Sequence, residues 1–344
     1  MRKSTSMLLC GIASSCVLAL TGCTLEKTYG STAVSANPYT PATVTVGDKS
    51  LVWRQNIKET ALHMIKESRK ACYLSMYELG DMDILQALAD AHRRGVDVRL
   101  ILDATEKHTL QTAIPFLQKE HIPYHLYRVK GGISHIKSLI TDEQGKPQMF
   151  DELMGGMNFG PHSWDNFDAS VRIQHANSDF ERLFFRDWKV SAGQQEPEPR
   201  STQFLVDRQI EPSMIQAIQG AKRSIDLECF DLSDAAFIRQ LILAHQRGVN
   251  IRVLLEPREK QNKYSGRKLA QAGIQVKFYK HEGKEILHAK IASIDDGEVV
   301  YVGSANFTHQ GFQVNHEGDI ILRRIPQFGQ SIQKSLDMEW QRSS

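Results

Sequence analysis

The chain has 344 residues, with 42 Lys and Arg against 40 Asp and Glu. That length accommodates two domains of ordinary size, each able to bury a core. A net charge of only +2 argues against a protein whose affinity comes mainly from neutralising a nucleic-acid backbone, although a local basic cleft on a neutral protein stays open.

The first segment reads as a secretory signal over residues 1–22. Arg2 and Lys3 give a positive start, an apolar run covers residues 7–20, and Leu20-Thr21-Gly22-Cys23 closes it with small residues. The run is too short to cross a membrane comfortably. Its loss removes two basic residues and no acid, leaving 40 of each sign and a net charge of zero. The Leu-Thr-Gly-Cys ending resembles the bacterial lipobox, which implies cleavage before Cys23 and lipid on its sulfur and amine. Several acyl chains on one residue give stable membrane attachment. Thr24 in place of Asp implies, by the same resemblance, the outer membrane facing the periplasm of a bacterial cell envelope. A plain secreted protein with an incidental cysteine is the competing reading. Residues 23–48, rich in Thr, Ser, Ala and Pro, read as the lipidated N-terminus and a flexible tether.

Two halves follow, residues 49–192 and 202–344, joined by a Gln-, Glu- and Pro-rich linker over 193–201. In the first, Ile57, Ala61, Met64 and Ile65 form a helical stripe, residues 71–77 alternate as a strand, and residues 84–94 are helical again before Gly95. Residues 96–103 and, in the second half, 249–256 after Gly248 are strands rich in Val, Ile and Leu. Glycine at both positions suits a helix C-terminus. Residues 88–102 match residues 241–255 at an offset of 153, with no gap expected before the motifs described next. Residues 136–141 and 290–294 look strand-like, so the His and Lys of each motif are expected on one face of a core strand. Strand alternation makes Cys72 and Cys229 buried hydrophobes in different halves. No disulfide and no structural zinc site are expected.

The same offset of 153 relates His135, Lys137 and Asp142 to His288, Lys290 and Asp295. Two histidines facing each other meet the needs of phosphodiester cleavage: neutral imidazole attacks phosphorus on one side and imidazolium protonates the leaving oxygen on the other. Lys137, Lys290, Asn158, Asn306 and the Ser304 hydroxyl can hold the non-bridging oxygens. Neither metal nor cofactor is required.

His-x-Lys-x-x-x-x-Asp followed by a Gly-rich Asn turn, Gly155-Gly156-Met157-Asn158 and Gly303-Ser304-Ala305-Asn306, resembles the signature of the phospholipase D superfamily, twice. The resemblance covers nearly the whole mature chain. It implies an α/β protein of two layered α/β/α domains related by a pseudo-twofold axis, with one site between them. By the family pattern His135 is the nucleophile and His288 the general acid, an order the residues alone leave open. The resemblance also implies that Asp168 and Glu317 hold the histidines, and that Asp142 and Asp295 are structural. Two features depart from the pattern: twelve residues separate Asp142 from Gly155 where seven separate Asp295 from Gly303, and Gly156 stands where Ser is usual. The Gly-Gly-x-Asn turn and the helix-like residues 180–188 are similar to bacterial cardiolipin synthases.

Aromatic and basic residues before each motif (Tyr124, His125, Tyr127, Arg128 and Lys130; Lys277, Phe278, Tyr279, Lys280, His281 and Lys284) either line the mouth of the cleft or form ordinary strands. The expected activity is cleavage of a phospholipid's phosphodiester, resolved by water or by an alcohol as in cardiolipin synthesis. A metal-independent nuclease is the rival enzyme. A catalytically silent lipoprotein scaffold is the reading from outside enzymology.

Overall fold

The computed structural model describes residues 40–143 and 149–343, all within one compact unit, Pro38–Ser344. The signal segment, Cys23 and residues 144–148 of the longer turn lie outside the described residues. The first half runs β1 (Val44–Val46), β2 (Lys49–Trp53), α1 (Gln55–Glu67), β3 (Ala71–Met76), α2 (Met82–Arg93), β4 (Asp97–Asp103), α3 (Lys107–Lys119), β5 (Tyr124–Tyr127), β6 (Ser138–Asp142), β7 (Phe150–Gly155), β8 (Ala169–Ala176) and α4 (Asp179–Ser191). After residues 194–201, which form no helix or strand, the second half runs β9 (Phe204–Val206), α5 (Ile210–Gly220), β10 (Ser224–Cys229), α6 (Ala235–Gln246), β11 (Asn250–Leu255), α7 (Lys260–Gln271), β12 (Gln275–Phe278), β13 (Lys290–Ile294), β14 (Val299–Gly303), α8 (His309–Gln313), β15 (Gly318–Arg323) and α9 (Pro326–Arg342).

The two sheets repeat one topology. Their orders are β1-β2-β8-β7-β6-β3-β4-β5 and β12-β11-β10-β13-β14-β15-β9, so β9 takes the place of β2. In each, the three strands joined by helical crossovers are parallel and the rest antiparallel. Helices form where the apolar stripes require them: Ile57, Ala61, Met64 and Ile65 of α1 are all buried. The Asp81 carboxylate accepts from the amides of Asp83 and Ile84 to cap α2, as Asp234 does from Phe237 in α6. Such a cap contributes about 1 kcal/mol. Gly95 and Gly248 end α2 and α6 at φ 87° and 94°, where a side chain would be strained.

α1, α2 and α3 cover the outer face of the first sheet over one core, and α5, α6 and α7 cover that of the second. A third core lies between the sheets and draws on both halves: Leu51, Met154 and Val171 share it with Phe204, Val302 and Ile320. Cys72 and Cys229 are buried, unbridged, in the separate outer cores.

Three expectations need correction. The tether does not run to Asp48, because Val44–Val46 already pairs with Lys49–Leu51. The copies are not gap-free: Leu100 pairs with Tyr124 but Val253 with Val276, one residue short of the offset, and the loops before the motifs restore it. His135 and Lys137 precede β6 and His288 precedes β13; the His135 and His288 amides bond to carbonyls of the opposite half instead of continuing the strand pairing.

Candidate active site

Each motif histidine is placed by the end of its own sheet and held by the opposite one. Just upstream, the Ser134 amide donates to Asp103 (2.7 Å) and the Leu287 amide to Glu256 (2.8 Å), fixing both approaches identically. The His135 amide then donates to the His316 carbonyl (2.8 Å) and the His288 amide to the Phe167 carbonyl (2.9 Å). The rings cross in the same way. His135 Nδ1 donates to Glu317 Oε2 (2.9 Å), and His288 Nδ1 to Asp168 Oδ2 (2.7 Å). A carboxylate of each half therefore orients the imidazole of the other and leaves Nε2 as the free ring nitrogen.

The lysines complete the symmetry. Lys137 Nζ donates to the His135 carbonyl (2.6 Å) and lies 5.3 Å over the Tyr77 ring; Lys290 Nζ donates to the His288 carbonyl and lies 5.0 Å over Phe230. Tyr77 and Phe230 also flank the imidazoles at 5.1 and 5.0 Å. Burial, then Lys137 and Lys290, push His135 well below its ordinary value. Burial, then Lys290, bring His288 to about 4 despite Asp168, with Lys137 adding to the fall. The crossed carboxylates and crossed backbone bonds bring the two motifs together at the seam between the halves. Burial lowers Lys290 to about 8 and raises Glu317 to about 7. The site holds closely spaced groups whose protonation an incoming anion would redistribute.

Ser304 Oγ donates to Glu317 Oε2 (2.5 Å) and accepts from the Gly318 amide (3.0 Å). Its hydroxyl positions an acid. The absence of Ser at position 156 has a steric cause: a Cβ on Gly156 would lie 2.4 Å from Asp168 Oδ1. Gly with Asp in one half and Ser with Glu in the other are alternative ways to fill the same space. The side-chain oxygens of Asn158 and Asn306 are buried without a partner among the described residues. Asp142 accepts from the amides of Arg69, Lys70 and Ala71, and Asp295 from those of Lys222, Arg223 and Ser224. Both acids hold the turn that enters a central strand, away from the imidazoles.

Several residues of the mouth segments are packed inside. Tyr127 stacks on His316 (4.9 Å), His125 on Trp188 (3.8 Å), and Lys277 donates to the Trp340 and Ser343 carbonyls. Arg128, Lys130, Lys280 and Lys284 stay exposed.

The sequence did not single out His316. Buried beside the His135 amide, its ring donates to Asp207 through Nδ1 (2.9 Å) and to Asp187 through Nε2 (3.0 Å). Burial opposes its charge, but the two carboxylates prevail and hold it well above its ordinary value. In the pseudo-equivalent place Arg54 lies 4.7 Å over Phe167, reaches the Tyr279 hydroxyl (3.1 Å) and pairs with Glu339 (3.7 Å). Arg54 and Asp207 stand at the same offset of 153, so the two contacts between the halves carry one architecture with cation and anion exchanged. Among the described residues no group of three or more His, Cys, Asp or Glu is arranged to hold a metal ion.

The model of the family described as cardiolipin synthase, PLD-like domain, matches residues 61–188 and again 214–340. The chain belongs to this phospholipase D superfamily family. It is 24% identical over 332 residues to a cardiolipin synthase of Clostridium perfringens, a match covering 82% of this chain and 67% of that protein. It is 31% identical over 134 residues to the mitochondrial cardiolipin hydrolase of Xenopus laevis, covering 37% of this chain and 60% of that one. Of the phospholipase D of Rickettsia prowazekii it spans about half, 52%, at 34% identity. The fold is that of phosphatidylserine synthase from Haemophilus influenzae, with a TM-score of 0.66 over 89% of both chains at 9% identity.

Proposed function

We propose that the protein is a membrane-anchored phosphodiesterase and phosphatidyltransferase that acts on phospholipids through a phosphohistidine intermediate. One observation carries the reading: two motif imidazoles are each oriented through Nδ1 by the opposite half's carboxylate, and beside each a buried lysine donates to that histidine's own carbonyl. His135, with its Nδ1 proton on Glu317, is the nucleophile. Its Nε2 forms a bond to phosphorus as the bond to the leaving alcohol breaks, and His288 Nε2 supplies the proton that alcohol takes up. Water or a second alcohol then gives its proton back to His288 and displaces His135, releasing phosphatidic acid or a new phosphatidyl ester.

Burial and Lys290 hold free His288 at about 4, so the ring takes up its proton from solvent as the substrate anion binds. A phosphodiester anion between Lys137 and Lys290 offsets the ammonium charges, which are the part of the depression that burial does not cause, and so favours the protonated His288. The Nδ2 amino groups of Asn158 and Asn306 are the donors suited to the non-bridging oxygens. Relatives named for cardiolipin and phospholipid chemistry and a near-neutral chain favour lipid over nucleic acid. Lipid on Cys23 would hold the enzyme at its substrate in the bacterial envelope, on the periplasmic side of the outer membrane.

The test sets wild type beside His135→Ala in EDTA, against detergent-dispersed phosphatidylglycerol, phosphatidylethanolamine and cardiolipin, with single- and double-stranded DNA in the same assay set. Headgroup release or exchange by wild type alone is expected. Release from none of the lipids, or cleavage of DNA alone, overturns the lipid assignment. For the anchor, labelled palmitate should enter wild type and not Cys23→Ala.

A further inference from the structure

The duplicated halves differ sharply on one exposed helix. α7 carries Lys260, Lys263, Arg267 and Lys268 and no acid, all four exposed and none in an ion pair among the described residues. At the offset of 153 its counterpart α3 has Leu110, Ile114 and Pro115 where α7 has Lys263, Arg267 and Lys268, and Gln111 where α7 has Tyr264. Tyr264 is 66% exposed, and Leu243 on the neighbouring α6 is 43% exposed. Both are large side chains left in water.

Two grooves flank the helix. The one toward α6 has Ala235, Ala236, Ile242 and Leu243 along it, with Arg239 and Lys268. The one toward β12 has Ala270, Val276 and Phe278, with Lys263 and Arg267. α7 also starts at the active site: buried Asn262 in its first turn donates to the Phe230 carbonyl (2.7 Å) and accepts from the Leu232 amide (2.8 Å), and the Phe230 ring lies 5.0 Å from His288.

We infer that the α6–α7 face is the surface by which the protein lies against an anionic phospholipid bilayer. Lys263, Arg267 and Lys268 meet lipid phosphates, while Tyr264 and Leu243 enter the interfacial layer. The assignment rests on the lipid reading proposed above and adds where and how the bilayer is met. Charge complementarity selects an anionic surface, and aliphatic grooves between the cations select lipid, because a nucleic-acid backbone matches the charges but offers nothing to the grooves. The approach brings the His288 side of the site to the membrane.

The test uses the full chain carrying Tyr264→Trp, a local reporter that attachment elsewhere on the chain does not move. Vesicles of phosphatidylglycerol or of phosphatidylcholine, with brominated acyl chains as quencher, are added at low salt. Quenching and a blue shift of the emission that Tyr264→Trp adds over wild type are expected on phosphatidylglycerol and not on phosphatidylcholine. Near a charged surface each basic residue is worth about fivefold in affinity. Reversing Lys263 and Arg267 to Glu should therefore lower turnover of phosphatidylglycerol in vesicles about 25-fold or more, leaving turnover of a short-chain, monomerically dispersed substrate unchanged. A reporter that stays unquenched on phosphatidylglycerol vesicles, or one that responds to single-stranded DNA instead, overturns the inference. Unchanged melting of the variants separates docking from folding. Failure of the lipid reading is distinct, since wild type would then leave the dispersed substrate intact.

Discussion

Asp168→Asn should disable the histidine of the opposite half, and selectively so. Asp168 is fully buried, and its carboxylate accepts from His288 Nδ1 at 2.7 Å. The substitution keeps the shape and an acceptor but removes the charge that stabilises His288 as imidazolium. A hydrogen bond to a charged partner contributes about 1.5–3 kcal/mol, and about 1.4 kcal/mol is a factor of ten in rate. With the upper value, because both groups are buried, kcat should fall roughly a hundredfold on phospholipid, whose alkoxide leaving group needs a proton. A phosphodiester with a p-nitrophenol leaving group needs none, so the loss there should stay below about tenfold. Rapid-quench trapping of labelled phosphoenzyme locates the defect: its formation slows in Asp168→Asn, with His288→Ala behaving alike. Equal losses on both leaving groups would refute His288 as the acid, and an undiminished rate of phosphoenzyme formation would refute the crossed pairing as its source.

Glu317→Gln should impair both substrates together, because under the proposed assignment the His135 it orients attacks phosphorus whichever oxygen leaves; stopped-flow with the nitrophenyl ester reads this directly. Gly156→Ala places a methyl 2.4 Å from Asp168 Oδ1 and should mimic Asp168→Asn in its leaving-group dependence; full activity would show that Asp168 moves freely. His288 and His316 give stability opposite pH slopes. The folded His288 refuses a proton down to about 4 that the unfolded chain accepts near 6.5, so stability falls as pH drops through that window, by about 1.4 kcal/mol per unit at most. His316 is raised, so its contribution is complete below its unfolded value and is lost as pH climbs through its folded one. Urea melts across pH should show both limbs, the alkaline one flattened in His316→Asn. Residues 40–192 produced alone should be inactive and aggregation-prone, since Leu51, Met154 and Val171 lose Phe204, Val302 and Ile320, at roughly 2 kcal/mol per exposed large side chain; co-production with residues 193–344 should restore turnover.

Much of this was legible in the residues. The offset of 153 gave the two sheets, the paired motifs and both structural acids, because local hydrophobic period and turn chemistry dictate those elements in each copy alike. Tyr77 with Phe230, Asp103 with Glu256, and Thr109 with Asn262 stand at the same offset and could have been read the same way. What stayed hidden depends on how two sheets face each other. Nothing local shows that Glu317 reaches His135 and not His288, or that Tyr127 and Tyr279 are covered. His316 has Phe167 as its counterpart, so no repeat of residue type marks it; its charge follows from Asp187 and Asp207 meeting around it only in the folded chain.

The exchange of carboxylates between lobes has a consequence for how the proposed activity would scale with abundance. A lobe that had to find a second copy of itself would lose its reaction centre on dilution, in proportion to its dimer dissociation constant. Here both partners travel in one polypeptide, at a mutual concentration set by the linker alone. A single polypeptide already carries both imidazoles and both of the carboxylates that hold them.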